Sequence, residues 1–266
     1  MLDRFNRKIY YLRISVTDRC NLRCTYCMPD EGIKLIPREN ILSYEEIEEI
    51  VRVATKLGFY KFRLTGGEPL VRKGIVGLVA RLARIEGVKI LTMTTNGLLL
   101  PEYAHQLKED GLSYLNISLD CLNEKRYQEI TRGGRLSQVL AGIRAAREAG
   151  FETIKLNVVL IDSTKDMEQE GIKRFARENK LAVRFIRKMD LKNGVYFKVE
   201  GGDGGNCAIC NRIRLTADGK LKPCLFSDYE VDVRKEGLEK AFRKAILGKP
   251  ERGERSIKRK MYEVGG

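Results

Sequence analysis

Residues 10–27, YYLRISVTDRCNLRCTYC, join a strand to a reactive loop. The first eight alternate aromatic, β-branched and apolar residues with polar ones, the pattern of a half-buried strand. Asp18-Arg19 then opens a loop that carries Cys20, Cys24 and Cys27 at CxxxCxxC spacing. Chemistry placed directly after a first strand is the arrangement of parallel α/β proteins, whose sites lie at the carboxyl ends of their strands.

Working outward, the same alternation recurs. Strand-like runs fall at 60–65, 88–95, 114–119, 153–159 and 182–188, which with 10–17 predicts six parallel strands. Helical spacing fills the gaps. Ser43-Tyr44-Glu45-Glu46 has the form of a capping box, followed by Ile47, Ile50, Val51, Ala54 and Leu57 on one face and stopped by Gly58. Further helices are expected near 73–86, 101–110, 123–131, 136–149 and 166–179, with Gly111 and Gly150 as stops. Six such units make either an open doubly wound sheet or a partial barrel, and composition does not separate the two. After Lys188 the alternation ends. A boundary is placed near 190, dividing 1–190 from a region 191–266 that begins with a glycine-rich connector (Gly201, Gly202, Gly204, Gly205) and contains one helical stretch at 238–247, followed by a basic, loop-like segment.

The chain of 266 residues is 43% apolar, enough to bury a large core. Its apolar runs are far too short for a bilayer span, and MLDRFNRKIYYLR lacks the apolar core of a signal peptide, so a cytoplasmic protein with no membrane partner is expected. The net charge of +14 would suit a polyanion, but with 32% charged residues of interleaved sign it also fits a solvated, salt-bridged surface. No basic helix, nucleic-acid-binding aromatic motif or zinc-finger pattern accompanies the charge, which disfavours a nucleic-acid-binding module.

The seven cysteines fall as three, one and three: Cys20, Cys24 and Cys27; Cys121; Cys207, Cys210 and Cys224. Tight clusters in a reducing compartment read as metal sites more readily than as disulfides. Three thiolates leave tetrahedral structural zinc one ligand short, whereas on a four-iron cluster they leave one iron open to a small molecule. Cys121 completes neither triplet and reads as a packing cysteine. The single histidine, His105, lies in a surface-helix pattern with no motif around it, so histidine-based nucleophilic catalysis is set aside.

CxxxCxxC with Tyr26 before its last cysteine resembles the signature of the radical S-adenosylmethionine superfamily. That resemblance implies a partial (βα)6 barrel, reductive cleavage of S-adenosylmethionine, and a deoxyadenosyl radical that takes hydrogen from the substrate. Thr65-Gly66-Gly67-Glu68-Pro69 resembles the motif that holds the amino group of S-adenosylmethionine. By similar placement Tyr26, Gly66, Gly67, Glu68, Thr94, Asn96, Ser118 and Met189 would line its site. Glycine admits a close backbone approach and a carboxylate pairs an ammonium, so these roles are physically apt.

Cys207-Ala-Ile-Cys210, thirteen further residues containing NRIRLTADG, and Cys224 resemble the carboxy-terminal motif of the molybdenum cofactor biosynthesis protein A family, the GTP 3′,8-cyclases. LRISVTDRCNLRC, KFRLTGGEPL, NISLDCL, RFIRKM and the final Gly265-Gly266 agree with it. The resemblance implies a carboxy-terminal iron–sulfur extension holding a second four-iron cluster on Cys207, Cys210 and Cys224, and GTP as substrate. It implies triphosphate contacts from Arg13, Lys61, Arg63, Lys155 and Arg184, and an arginine pair, Arg212 and Arg214, beside the second cluster. It implies a Gly265-Gly266 tail that reaches the site and positions that pair. Among partners it implies an electron donor such as a flavodoxin or ferredoxin, a downstream pterin synthase, and a homodimer as one possible assembly. A shortened paralogue acting on another nucleotide or a peptide is the alternative, because only seventeen residues separate Met189 from Cys207, fewer than the family carries. Part of the pocket wall is therefore expected to be missing or rebuilt.

Overall fold

The computed structural model describes residues 1–161 and 166–265. The six expected strands form as β1 (Tyr11–Ser15), β2 (Lys61–Thr65), β3 (Ile90–Thr95), β4 (Tyr114–Ser118), β5 (Ile154–Leu160) and β6 (Ala182–Arg187). Between them run α1 (Tyr44–Lys56), α2 (Ile75–Ala83), α3 (Leu100–Glu109), α4 (Glu124–Thr131), α5 (Leu136–Glu148) and α6 (Asp166–Glu178). The capping box closes as expected: Ser43 Oγ accepts the Glu46 N–H at 3.1 Å, and Glu46 Oε2 accepts the Ser43 N–H at 2.7 Å. Ile47, Ile50, Val51 and Ala54 form the buried stripe of α1, and the apolar stripes of the crossover helices join the strand interiors in one core.

The sheet runs β6-β5-β4-β3-β2-β1 without a reversal, every neighbour parallel. A doubly wound sheet would reverse its order beside the first strand; strands laid down in chain order are the staves of a barrel. The fold is α/β, a partial barrel.

The carboxy-terminal region is richer than one helix and a loop. β7 (Arg212–Leu215) pairs parallel to the free edge of β1, and β8 (Lys220–Lys222) and β9 (Val231–Asp232) extend the sheet antiparallel before the short α7 (Val233–Glu236) and the expected α8 (Leu238–Leu247). The sequence RIRL hides β7 because its alternation is cation and aliphatic: Ile213 and Leu215 are buried in the core, while Arg212 and Arg214 line the site cavity. Arg7 ties the amino-terminal segment to this region through the carbonyls of Cys207, Pro250 and Glu251, at 2.9, 2.6 and 2.8 Å. Among the described residues no helix is long and apolar enough to cross a membrane.

Candidate active site

Both cysteine triplets line a single cavity of about 380 Å³. All six cysteines are free thiols, and among the described residues no three His, Cys, Asp or Glu groups close tightly enough to chelate one metal ion. Burial, with the Asp120 carboxylate and the neighbouring sulfurs, pushes the Cys24 thiol up, and burial with Cys20 pushes Cys27 up to about 12. Such thiols shed their protons when a metal cation arrives to replace them, so the donor set fits an iron–sulfur cluster. Burial also acts upward on Cys210, but Lys249 and Arg212 outweigh it and lower that thiol. Cys121 is buried in the core, as expected of a packing cysteine.

The Gly66-Gly67 turn is pressed against the first cysteine loop. Gly67 N–H donates to Thr17 O and Glu68 N–H to Arg19 O, each at 2.8 Å, and a Cβ on Gly67 would fall 2.2 Å from Arg19 O. Only glycine allows this approach. Glu68 is 1% exposed; its carboxylate accepts from Thr95 Oγ1 at 2.7 Å, Asn96 N at 2.7 Å and Leu70 N at 3.1 Å. Burial nonetheless carries its carboxyl up to about 7. Asn96 in turn donates to Asn21 of the cysteine loop at 2.7 Å. Tyr26 donates to Asp120, which also accepts the Val159 N–H, binding the cysteine loop to the ends of β4 and β5. Thr94, Ser118 and Met189 line the same cavity. The buried Thr94 Oγ1 and Asn157 Oδ1 have no hydrogen-bond partner among the described residues, which leaves two polar atoms for a ligand.

The raised Glu68 pKa has a consequence for the metal-free chain. The folded state keeps a proton that the unfolded state releases, so this contribution is complete below about 4.5 and is lost as pH rises through about 7. Glu68→Gln should therefore flatten the fall in unfolding free energy across that window, measured by urea titration at stepped pH. An unchanged slope would refute the assignment. Asp120, raised by burial to about 6, supplies a remaining slope of the same sign.

Cations are arranged in rungs across the strands. Arg63, Arg13 and Arg214 stand side by side on β2, β1 and β7, and Lys61, Tyr11 and Arg212 form the rung before them. Lys61, Arg63 and Arg212 lie over the Tyr11 ring at 5.1, 5.5 and 5.5 Å. Arg184 reaches in from β6 and donates to Asn116 at 3.2 Å. Burial and then Arg212 hold Arg214 down to about 10, and burial and then Arg214 depress Arg13 as well. A cluster of buried, mutually repelling guanidinium groups is the complement of a polyanion.

The tail ends against this rung. Gly265 O accepts from Arg13 Nη2 at 3.2 Å and Arg214 Nη1 at 3.1 Å. Arg259, paired with Asp218 at 2.8 Å and Glu230 at 3.1 Å, secures the segment before it. Gly265 and Lys155 are not part of the cavity lining; Lys155 sits behind it, over the Tyr114 ring at 4.8 Å. Gly266 lies outside the described residues. The short segment after Met189 rebuilds one wall with Tyr196, Val199 and residues 202–206, and the Tyr196 hydroxyl lies 3.4 Å from Cys207 Sγ. Sequence reasoning missed Tyr11, Asn157, Tyr196 and Lys249 as lining residues. Tyr11 and Asn157 had a signal, since strand alternation puts them on the same faces as Arg13 and Lys155.

Comparison with known proteins agrees with this geometry. Residues 14–176 match the radical SAM superfamily model and residues 203–258 the Molybdenum Cofactor Synthesis C model. A GTP 3′,8-cyclase of Petrotoga mobilis is 42% identical, with all of both chains covered; the alignment has 323 positions against 266 residues, so at least 57 (323 less 266) face a gap in this chain. A GTP 3′,8-cyclase of Thermodesulfovibrio yellowstonii is 44% identical over 88% of this chain and 87% of its own. In fold, SuiB of Streptococcus suis bound to S-adenosylmethionine superposes with a TM-score of 0.66 at 16% identity, covering 88% of this chain but 64% of SuiB, less than two thirds of its length. anSMEcpe with bound AdoMet gives 0.63 at 15% identity, over 88% of this chain and 80% of that one.

Proposed function

This chain belongs to the GTP 3′,8-cyclase family of the radical S-adenosylmethionine superfamily, and on that premise we propose that it converts GTP to 3′,8-cyclo-7,8-dihydro-GTP for molybdopterin synthesis. The observation that carries this reading is the rung Arg63–Arg13–Arg214 in the sheet, which lines one cavity together with both cysteine triplets. A cluster held by Cys20, Cys24 and Cys27 supplies, when bound, the electron for reductive cleavage of S-adenosylmethionine.

The protein's own residues do the rest by position. Glu68 pairs the ammonium of S-adenosylmethionine, and the ligand cation draws its carboxyl back to the ionised form. Thr94, Asn96, Ser118, Tyr26 and Met189 frame the cosubstrate, with Gly66 and Gly67 keeping the turn close. Arg13, Lys61, Arg63, Lys155 and Arg184 neutralise the triphosphate, Lys155 through the layer behind the lining. Arg212 and Arg214 orient the nucleotide toward a second four-iron cluster on Cys207, Cys210 and Cys224, and Gly265 and Gly266 fix that pair. No general base is needed to remove hydrogen as an atom, in keeping with a site that contains no histidine among its lining residues.

The same reading places 1–190 as the barrel and 191–266 as the iron–sulfur extension. It assigns the work to the cytoplasm, the electron to a donor such as a flavodoxin or ferredoxin, the product to a pterin synthase, and allows a homodimer. The rebuilt wall after Met189 favours one second reading, a different nucleoside triphosphate as substrate.

Anaerobic turnover with reconstituted protein, reductant and S-adenosylmethionine tests the proposal. GTP should be cyclised in preference to ATP, CTP and UTP. Cleavage of S-adenosylmethionine with GTP recovered intact would refute the proposal. Arg212→Ala should keep uncoupled cleavage while GTP conversion drops by about a hundredfold, the scale of a misplaced reacting group. Normal GTP conversion in that variant would remove Arg212 from the substrate side.

A further inference from the structure

Lys249 follows α8 and Gly248 in a stretch, Gly-Lys-Pro, that reads as a surface turn. Its side chain instead turns inward and is 2% exposed. The Nζ donates to Arg212 O at 2.9 Å and Pro223 O at 2.6 Å. Those carbonyls belong to residues beside the cysteines of the second triplet: Arg212 lies two positions after Cys210, and Pro223 immediately precedes Cys224. The Lys249 charge also acts on the Cys210 sulfur. Its charge acts on Cys224 as well. A buried ammonium satisfied by two neutral carbonyls still carries its full charge, and a buried charge needs a counterion.

We propose that Lys249 is the built-in countercharge of the second cysteine triplet, holding its cluster in place and raising the potential at which that cluster accepts an electron. This rests on the reading of Cys207, Cys210 and Cys224 as cluster ligands. The reduced cluster carries one more negative charge than the oxidised one, so a fixed, buried cation beside its ligand residues favours the reduced form. The first triplet has a different setting. Glu68 faces Cys20 and Asp120 faces Cys24, with Arg23 as the cation near Cys20. Around the second triplet Lys249 and Arg212 act on Cys210, and Arg214 faces both Cys210 and Cys224. The protein thereby makes its two redox centres unequal, the substrate-side one being the easier to reduce.

The test uses the full chain with Cys20, Cys24 and Cys27 replaced by Ala, so that only the second triplet takes iron, reconstituted anaerobically. Iron and sulfide content and a redox titration followed by electron paramagnetic resonance are compared for this parent, Lys249→Met and Lys249→Arg. Lys249→Met should disfavour the reduced form at least tenfold at a given applied potential, a shift of about 59 mV downward for one electron. Lys249→Arg, which keeps the charge, should stay near the parent. If Lys249→Met instead loses its cluster while Lys249→Arg holds it, the need for charge is shown by retention. A cluster in Lys249→Met at the parent's potential refutes the inference and leaves the second-cluster reading intact. Loss of the cluster in both variants makes Lys249 a packing peg and likewise refutes it. A parent that binds no cluster sinks the second-cluster reading, and this inference with it.

Discussion

Replacing Cys24 with alanine should reduce cleavage of S-adenosylmethionine to the level of a protein-free mixture and lower bound iron, while Cys121→Ala retains both. The two cysteines differ in position, not chemistry. Cys24 lines the cavity with Cys20 and Cys27, in a loop tied to the barrel through Tyr26 and Asp120 at 2.9 Å; with one thiolate gone, two cannot anchor a four-iron cluster with a single open iron. Cys121 is 1% exposed among apolar neighbours, with its thiol donating to Asn123 O at 3.6 Å, so truncating it removes packing and one weak S–H hydrogen bond, and a loss of stability of about 1 kcal/mol is expected. Iron analysis and quantification of 5′-deoxyadenosine check both. Full cleavage by Cys24→Ala would overturn the assignment of the first triplet.

Ending the chain at Val264 should lower GTP conversion by about a hundredfold and leave iron content and uncoupled S-adenosylmethionine cleavage in place. The Gly265 carbonyl is shared by Arg13 and Arg214, at 3.2 and 3.1 Å; without it the two buried guanidinium groups lose the acceptor that ties them together. Gly265 has φ +68, and a Cβ there would lie 2.7 Å from Thr65 Oγ1, so Gly265→Ala should show the same loss to a lesser degree. A peptide ending in KMYEVGG, added in excess, should partly restore turnover of the truncated chain. Unchanged GTP conversion after truncation would show that the tail contact is incidental.

Much of this was legible in the sequence, for reasons that particular residues illustrate. The strand–helix alternation announced a parallel α/β sheet because each crossover helix carries its own apolar stripe, while the choice of a barrel over a doubly wound sheet came from the family resemblance; Ser43 with Glu46 marks one helix start by purely local bonds. The cysteine spacings and Gly66-Gly67-Glu68 were readable because their constraint is also local. What escaped depends on pairing across the whole chain. β7 is a strand because β1 offers it an edge some two hundred residues upstream, and an arginine at every second position disguised it. Lys249 looked like a surface lysine, since nothing in Gly-Lys-Pro says that two buried carbonyls wait for its ammonium. Tyr196 was hidden in the shortened segment, where the chain departs from the pattern used to read it.

The pairing of β7 with β1 has a further consequence for the way the molecule is made. A ribosome delivers β1 through β6 first, and these can assemble into the curved sheet around the first cysteine loop. Until residue 215 has emerged, however, the outer edge of β1 has no neighbour, and the carbonyls of Cys207, Pro250 and Glu251 that receive Arg7 do not yet exist in the nascent chain. An unpaired strand edge is exposed to aggregation. Closure of the sheet is therefore ordered: the first metal pocket can form once β1 through β6 are made, whereas the second needs β7 and the residues that receive Arg7.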